Sequence, residues 1–331
     1  MSSRRPLIET AQGTRREAFG PREWGLLAAI AAMWGSSFLF IEIGLEHFGP
    51  GVVAFGRVAV GALTLSLLRG SHRPVERDDL PRVALLGAVW MAAPLLLFPI
   101  GQQWIDSSLA GMLNGAVPIF AAATAAILLR RPPASRQLIG IAVGFLGVVG
   151  VLWPATRDAD ATALGASLVL LAVMCYGVAV NIAVPLQQRY GALPVLLRAQ
   201  LVALVLLAPA ALVSLPNSEF AWSSALAVLA LGFFGTGWAF VAMTTLVGRV
   251  GATRGSVALY FLPVVAIALG VIFRDETIAA ISLVGTGLVL AGAYLTSRRE
   301  QPGSPHPPRP RSQMKPPPVG GTAPWGWEPR R

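Results

Sequence analysis

The chain has 331 residues, 54% of them hydrophobic and 13% charged, with a mean hydropathy of +0.63; a soluble domain carries about 25% charged residues, so a soluble fold is excluded and a polytopic membrane protein is indicated. The net charge of +10 sits in the two tails and in short turns rather than on one basic face, which excludes a nucleic-acid partner. One cysteine (Cys175), three scattered histidines (His47, His72, His306) and one lysine (Lys315) exclude an internal disulfide, a zinc site and a P-loop, so no metal, cofactor or ATP is expected.

Residues 1–23 are polar and arginine-rich and read as a cytoplasmic tail; the first apolar run is long enough to act as an uncleaved anchor. A transmembrane helix needs about 20 mostly apolar residues. Ten such runs follow: 24–44, 50–69, 82–103, 107–129, 136–153, 163–185, 193–215, 222–248, 252–273 and 278–297. The first holds Ser36 and Ser37 at mid-helix and Glu42 near its end. Arg57 lies in the second run, and both it and Glu42 fall roughly 10–12 Å in from the turn near Gly49, at about 1.5 Å per residue. An ion pair between neighbouring antiparallel helices is therefore expected, either as an outer gate or anion-responsive site, or as a plain tie between the helices. Glu42 is the one carboxylate inside a predicted span, and so the one candidate for coupling transport to protons.

The next loop carries "ERDD" (76–79), whose adjacent acids would point about 100° apart on a helix and are flanked by arginines. That makes a membrane-embedded transferase the weakest of the functions considered. Trp90 and Trp238 sit near the middle of the third and eighth runs, away from the interface that tryptophan prefers, and Asn114, Asn181 and Tyr260 fall within the fourth, sixth and ninth. With Ser36 and Ser37 these are the candidates to line a substrate cavity, against the alternative of interhelical hydrogen bonding and packing. Asp106 is expected in a solvated turn. Arg198, in the seventh run, either meets a substrate carboxylate or snorkels to cytoplasmic water. Pro118 and Pro263 interrupt the fourth and ninth runs and are the candidate hinges. Two glycine rows, at 140, 144, 147 and 150 and at 285, 287 and 292, permit close helix approach, inside one chain or across a homodimer. Residues 298–331 contain ten prolines and read as disordered cytoplasmic chain, with a proline-dependent partner as the other reading.

With the N-terminus inside, the inner segments hold 22 of the 26 basic residues and the outer loops only Arg157 and Arg274. By the positive-inside rule both termini are cytoplasmic. At an offset of 145, Pro118 meets Pro263, Ala121 meets Ala266, Ala123 meets Ala268, Ile127 meets Ile272, Leu138 meets Leu283, Gly140 meets Gly285 and Gly147 meets Gly292. A fainter echo links "WGSSFLFIEIG" (34–44) to "YGVAVNIAVPL" (176–186). A unit of five helices repeated once must insert its second copy upside down, the architecture of secondary transporters. The turns agree: Arg130 and Arg131 in one copy face Asp275 and Glu276 in the other, as expected on opposite sides of a bilayer.

The segments "SSLAGMLNGAVPIFAAATAAILLRRPPASRQLIGIAVGFLGVVGVL" (107–152) and "TRGSVALYFLPVVAIALGVIFRDETIAAISLVGTGLVLAGAYL" (253–295) resemble the EamA-domain family of the drug/metabolite transporter superfamily. Glu276 fits the family's acidic turn, whereas Arg131 departs from it in the first repeat. The resemblance implies an all-α integral membrane fold of ten transmembrane helices in two inverted five-helix repeats, at 24–153 and 163–297. It also implies a secondary transporter of the bacterial plasma membrane, as monomer or homodimer, that exports small metabolites or drugs by alternating access. A structural or regulatory membrane protein acting through its Pro-rich tail is the alternative.

Overall fold

The computed structural model describes residues 7–8, 20–128, 135–154, 160–251 and 255–297, all within one compact unit of Met1–Arg298. Every regular element among them is helical. Six segments are long and apolar enough to cross a membrane: Pro21–Leu45, Arg77–Gly101, Ser107–Leu128, Thr162–Tyr190, Ala192–Asn217 and Trp222–Val250. Four shorter apolar helices accompany them: Pro50–Ser66, Leu138–Val151, Leu262–Arg274 and Ala280–Gly292. The outward side chains include Leu63, Leu67, Phe145, Val205, Leu212 and Val284, all exposed. Such a surface belongs in lipid, where each backbone group must also be satisfied within its own helix. The protein is membrane-embedded.

α1 (Pro21–Gly35) begins on a proline whose fixed φ suits a first helical turn. It breaks at Ser36 and resumes as α2 (Ser37–Leu45). Ser36 and Ser37 donate from Oγ to the Ala32 and Met33 carbonyls at 2.8 Å each, local bonds that bend a helix. α3 (Pro50–Ser66) follows, then α4 (Leu80–Leu86) and α5 (Ala93–Gly101), joined by π-helix at Gly87–Ala92. α6 (Ser107–Asn114) and α7 (Val117–Leu128) are parted by a break at Gly115–Ala116, just ahead of Pro118. α8 (Ser135–Leu152), α9 (Asp160–Tyr190) and α10 (Ala192–Ser214) come next, α9 running beyond its expected ends despite Pro185. α11 (Trp222–Ala230) and α12 (Ala239–Val250) again join through π-helix, at Leu231–Trp238. A 3-10 segment, Ser256–Phe261, leads into α13 (Leu262–Arg274), with Pro263 in its first turn, and α14 (Ala280–Ser297) closes the described fold.

The interruptions recur in step. The π-helix at Gly87–Ala92, moved by 145 residues, falls inside Leu231–Trp238, and the breaks before Pro118 and Pro263 stand at the same offset. They also touch, since a Cβ on Gly115 would lie 2.9 Å from the Pro263 ring.

The bundle has two polar ends. At the end carrying His47, Arg274 binds Glu42 at 2.7 Å and Glu46 at 2.6 Å, tying α13 to α2. Asp275 takes a left-handed φ of 53°, which turns the chain so that Glu276 reaches α6. Its carboxylate accepts from the Ser107 N–H at 3.2 Å, the Ser107 hydroxyl and the Ser108 N–H at 3.0 Å. Glu276 therefore caps α6, a helix of the other half of the chain. Gly270 leaves room for that carboxylate, because a Cβ there would lie 2.4 Å from Oε2. Asp106 lies beside it in an exposed turn, as expected, and desolvation of its carboxyl by the neighbouring chain, with the Glu276 charge, raises its pKa. Glu276→Gln removes the charge from this cap. It is expected to destabilise the protein by about 1–2 kcal/mol, read as a lower thermal midpoint in detergent.

At the opposite end, Asp79 is fully buried and accepts from Arg82 at 2.6 Å, from Arg189 and from the Tyr190 hydroxyl at 2.5 Å. Nearby, Glu23 binds Arg249 at 2.6 Å, joining the start of α1 to the end of α12. Asp79 thus serves as a structural tie, while Asp78 is exposed; the two acids of "ERDD" form no paired site.

Between the halves, α8 and α14 pack backbone to backbone. A Cβ on Gly147 would lie 2.5 Å from the Val289 nitrogen, one on Gly285 2.5 Å from the Val151 nitrogen, and one on Gly292 2.4 Å from the Gly144 nitrogen. Gly144, Gly147, Gly150, Gly285 and Gly292 are used inside the chain, whereas Gly287 meets no neighbour. Without a hydrophobic drive between helices in lipid, such close van der Waals contact is the main cohesive term.

Candidate functional site

Between the two polar ends lies a cavity of about 470 Å³, its mouth included. Its residues come from spans that bend or break: Trp34, Ser37 and Phe38 where α1 gives way to α2, Trp90 in the first π-helix, and Asn114 and Val117 at the break between α6 and α7. Irregular backbone at membrane depth is tolerated where it borders a cavity, so the sequence folds locally to make these groups converge.

Arg57 is 3% exposed and lines this cavity from α3. Its Nε donates to Thr236 Oγ1 at 3.0 Å, and Nη2 lies beside Gly235, where a Cβ would approach to 3.3 Å. Both residues belong to the second π-helix. The same stretch fixes Trp34, whose indole Nε1 donates to the Gly235 carbonyl at 2.8 Å, and receives Gln200 Nε2 on the Thr236 carbonyl at 2.8 Å. The aromatic walls hold one another. Phe38 meets Phe98 edge-on at 5.5 Å, Phe98 stacks with Tyr176 at 5.8 Å, and Phe240 braces Trp34 and Trp90 at 5.0 and 5.2 Å. These are favoured ring geometries, so the shape is set before a ligand arrives.

The sequence-derived candidates divide. Ser37, Trp90 and Asn114 line the cavity with Arg57. Ser36 does not; its hydroxyl is spent at the helix kink. Asn181 does not either, because its Nδ2 donates to the Ala121 and Gly177 carbonyls at 2.9 and 3.0 Å and ties α9 to α7. Trp238 turns outward and is 39% exposed. The Tyr260 side chain lies outside the described residues. The expected Glu42–Arg57 pair does not form, since Glu42 faces Arg274; equal depth on adjacent helices did not mean facing sides. Arg198 donates to the Pro194 and Ser71 carbonyls at 2.9 and 3.4 Å at the Asp79 end, away from the cavity. Arg130, Arg131, Arg157 and the tail from residue 298 also fall outside the described residues. Trp34, Phe38, Phe98, Tyr176 and Thr236 were missed, because an aromatic or threonine in an apolar run carries no signal of which way it faces.

Residues 23–153 and 163–298 each match the EamA-like transporter family. The chain is 30% identical over 284 residues to a probable terminal-alkyne amino-acid exporter of Streptantibioticus cattleyicolor, covering 83% of this chain and 93% of that protein. It is 27% identical over 285 residues to the inner membrane transporter YedA of Escherichia coli, covering 83% and 90%. A solved crystal structure superposes with a TM-score of 0.59 at 16% identity, over 82% of this chain and 95% of the other, a likeness of fold alone.

Proposed function

The chain belongs to the EamA-like transporter family, and from that premise we propose that it exports small, amino-acid-like metabolites or drugs across a bacterial inner membrane by alternating access. It is a secondary transporter; direction, topology and the path of the substrate are the proposal. The reading counts ten crossings, the four shorter helices included, as two inverted five-helix repeats. The recurrence of π-helices and proline breaks at one offset supports it. Arginine placement supports a cytoplasmic position for the Asp79 end and both termini.

One observation carries the mechanism: a preformed cavity lies between two ion clusters, each joining helices of different halves. The Arg274 cluster is partly exposed, with 29% of the Arg274 side chain accessible, and exposed pairs are worth about 0–1 kcal/mol. It is therefore cheap to open as an outer gate. The Asp79 cluster closes the cytoplasmic side. The breaks at Pro118 and Pro263 absorb the bending, and the α8–α14 seam is the pivot. No carboxylate lines the cavity among the described residues, so Glu42 would influence protons through the outer gate rather than at the substrate.

Purified protein in liposomes, offered a panel of amino acids, their derivatives and cationic dyes, with and without a pH gradient, tests this reading. Saturable flux is expected for some of the panel, and Trp90→Ala, compared at matched amounts of folded protein, should lower it about tenfold, the equivalent of about 1.4 kcal/mol. No flux of any compound would overturn it. Deleting residues 300–331 is expected to leave flux unchanged; loss of flux would return attention to the tail.

A further inference from the structure

We propose that the cavity takes its substrate as a monoanion: a carboxylate held by Arg57, on an uncharged aromatic or apolar body, with one N–H or O–H directed at Asn114. The inference rests on the transporter reading and adds the chemical class of the cargo.

Four charged residues are buried among those described: Glu23, Arg57, Asp79 and Arg82. Glu23 pairs with Arg249, and Asp79 with Arg82 and Arg189. Arg57 is the exception. Among the described residues its side chain makes one hydrogen bond, to a neutral hydroxyl, and no acid reaches it. A guanidinium keeps its charge in a protein, and a buried charge without a counter-ion is costly enough to be kept for function. The fork geometry of its nitrogens matches a carboxylate in two parallel bonds. The missing counter-ion is the substrate's.

Asn114 supplies the complement. It is 3% exposed, lines the same cavity, and its Oδ1 is buried without a partner among the described residues. An amide oxygen accepts, so the ligand brings a donor to it. That donor is uncharged, because among the described residues no carboxylate lines the cavity to balance an ammonium. Arg57 plus a monoanion sums to zero charge, whereas Arg57 plus a zwitterion leaves +1 in a low-dielectric space. The body of the ligand meets Trp34, Phe38, Trp90 and Phe98, which line the cavity beside Arg57 and Asn114.

Four probes sharing one ring separate the possibilities in liposomes at neutral pH: 3-phenylpropionate, N-acetylphenylalanine, phenylalanine and phenylalanine amide. N-acetylphenylalanine is expected to move fastest, phenylpropionate more slowly, and the zwitterion and cation at least tenfold more slowly than the first. An imposed membrane potential should accelerate or retard the anions according to its sign and leave phenylalanine unaffected. Arg57→Lys should retain part of the anion flux and Arg57→Gln lose it at least tenfold. Asn114→Ala should bring N-acetylphenylalanine down to phenylpropionate. Charge selection by the unaltered protein, with Arg57→Lys and Asn114→Ala, keeps the test decisive if Arg57→Gln does not fold. Phenylalanine or its amide moving as fast as the anions, or anion flux unchanged in a folded Arg57→Gln, would overturn the inference and leave the transporter reading intact. If no probe moves and none quenches the fluorescence of Trp34 and Trp90, the inference falls, and the wider panel above decides the transporter reading separately.

Discussion

Asp79→Asn is expected to destabilise the protein by about 3–5 kcal/mol, the cost of removing one partner from a buried ion pair. The carboxylate it removes is fully buried and is shared by Arg82, Arg189 and the Tyr190 hydroxyl. Arg82, itself 2% exposed, would face a neutral amide where it now faces a full negative charge. Asparagine retains one acceptor and the same volume, so the loss reports charge rather than packing. Asp78→Asn is the control: that residue is exposed, and its change is expected to fall within about 0.5 kcal/mol. Thermal or denaturant unfolding in detergent reads both. Raising the salt concentration should leave the Asp79 effect standing, because a buried pair is screened little. Equal effects at the two positions would remove the structural role assigned to Asp79.

Gly147→Ala is expected to cost about 1–3 kcal/mol, the usual penalty for overpacking. The added methyl would meet the Val289 nitrogen at 2.5 Å and the Gly285 carbonyl oxygen at 2.7 Å. Both are backbone atoms within the opposing helix, so no rotamer change relieves the clash and α8 must move off α14. Gly287 is the matched control on the same helix pair, with nothing within 4 Å of its absent Cβ. Gly287→Ala should be neutral, or stabilising by up to about 1 kcal/mol through helix propensity. Flux should fall with stability in Gly147→Ala if the seam is the pivot, since moving α8 away from α14 would loosen it.

What could be read from the sequence follows from cost. Arg57, Asn114 and Trp90 stand out in apolar runs because a buried charge, an amide and a mid-membrane indole each need a reason to be there, and all three converge on the cavity. Pro118 and Pro263 stand out because proline has no N–H, and both mark real breaks. The partners were hidden. Glu42 and Arg57 share a depth, but depth leaves the direction around the helix axis open, and Arg274, 232 residues from Glu42 in sequence, takes the acid. Asn181 belongs to the same residue class as Asn114, yet its amide is used by two carbonyls. Trp90 and Trp238 both lie in π-helix, but one faces in and the other out: at the 145-residue offset Trp90 falls on Gly235, so the two hold different positions in their segments. Aromatic rings such as Phe98 and Tyr176 cost nothing in an apolar run, so nothing in the sequence set them apart.

The cap on α6 has a consequence for how the protein is made. Ser107 emerges from the ribosome 169 residues ahead of the Glu276 that binds it, which at about 5–20 residues per second is an interval of roughly 10–30 s. Through that interval the first amides of α6 lack their acceptor, and the glycine face of α8 lacks the helix that will cover it. The nascent first half must wait with its open groups in interfacial water or in the care of an insertase. A nascent chain stalled before residue 274 would carry that unfinished face into the bilayer, and membrane proteases should clear it faster than the completed chain.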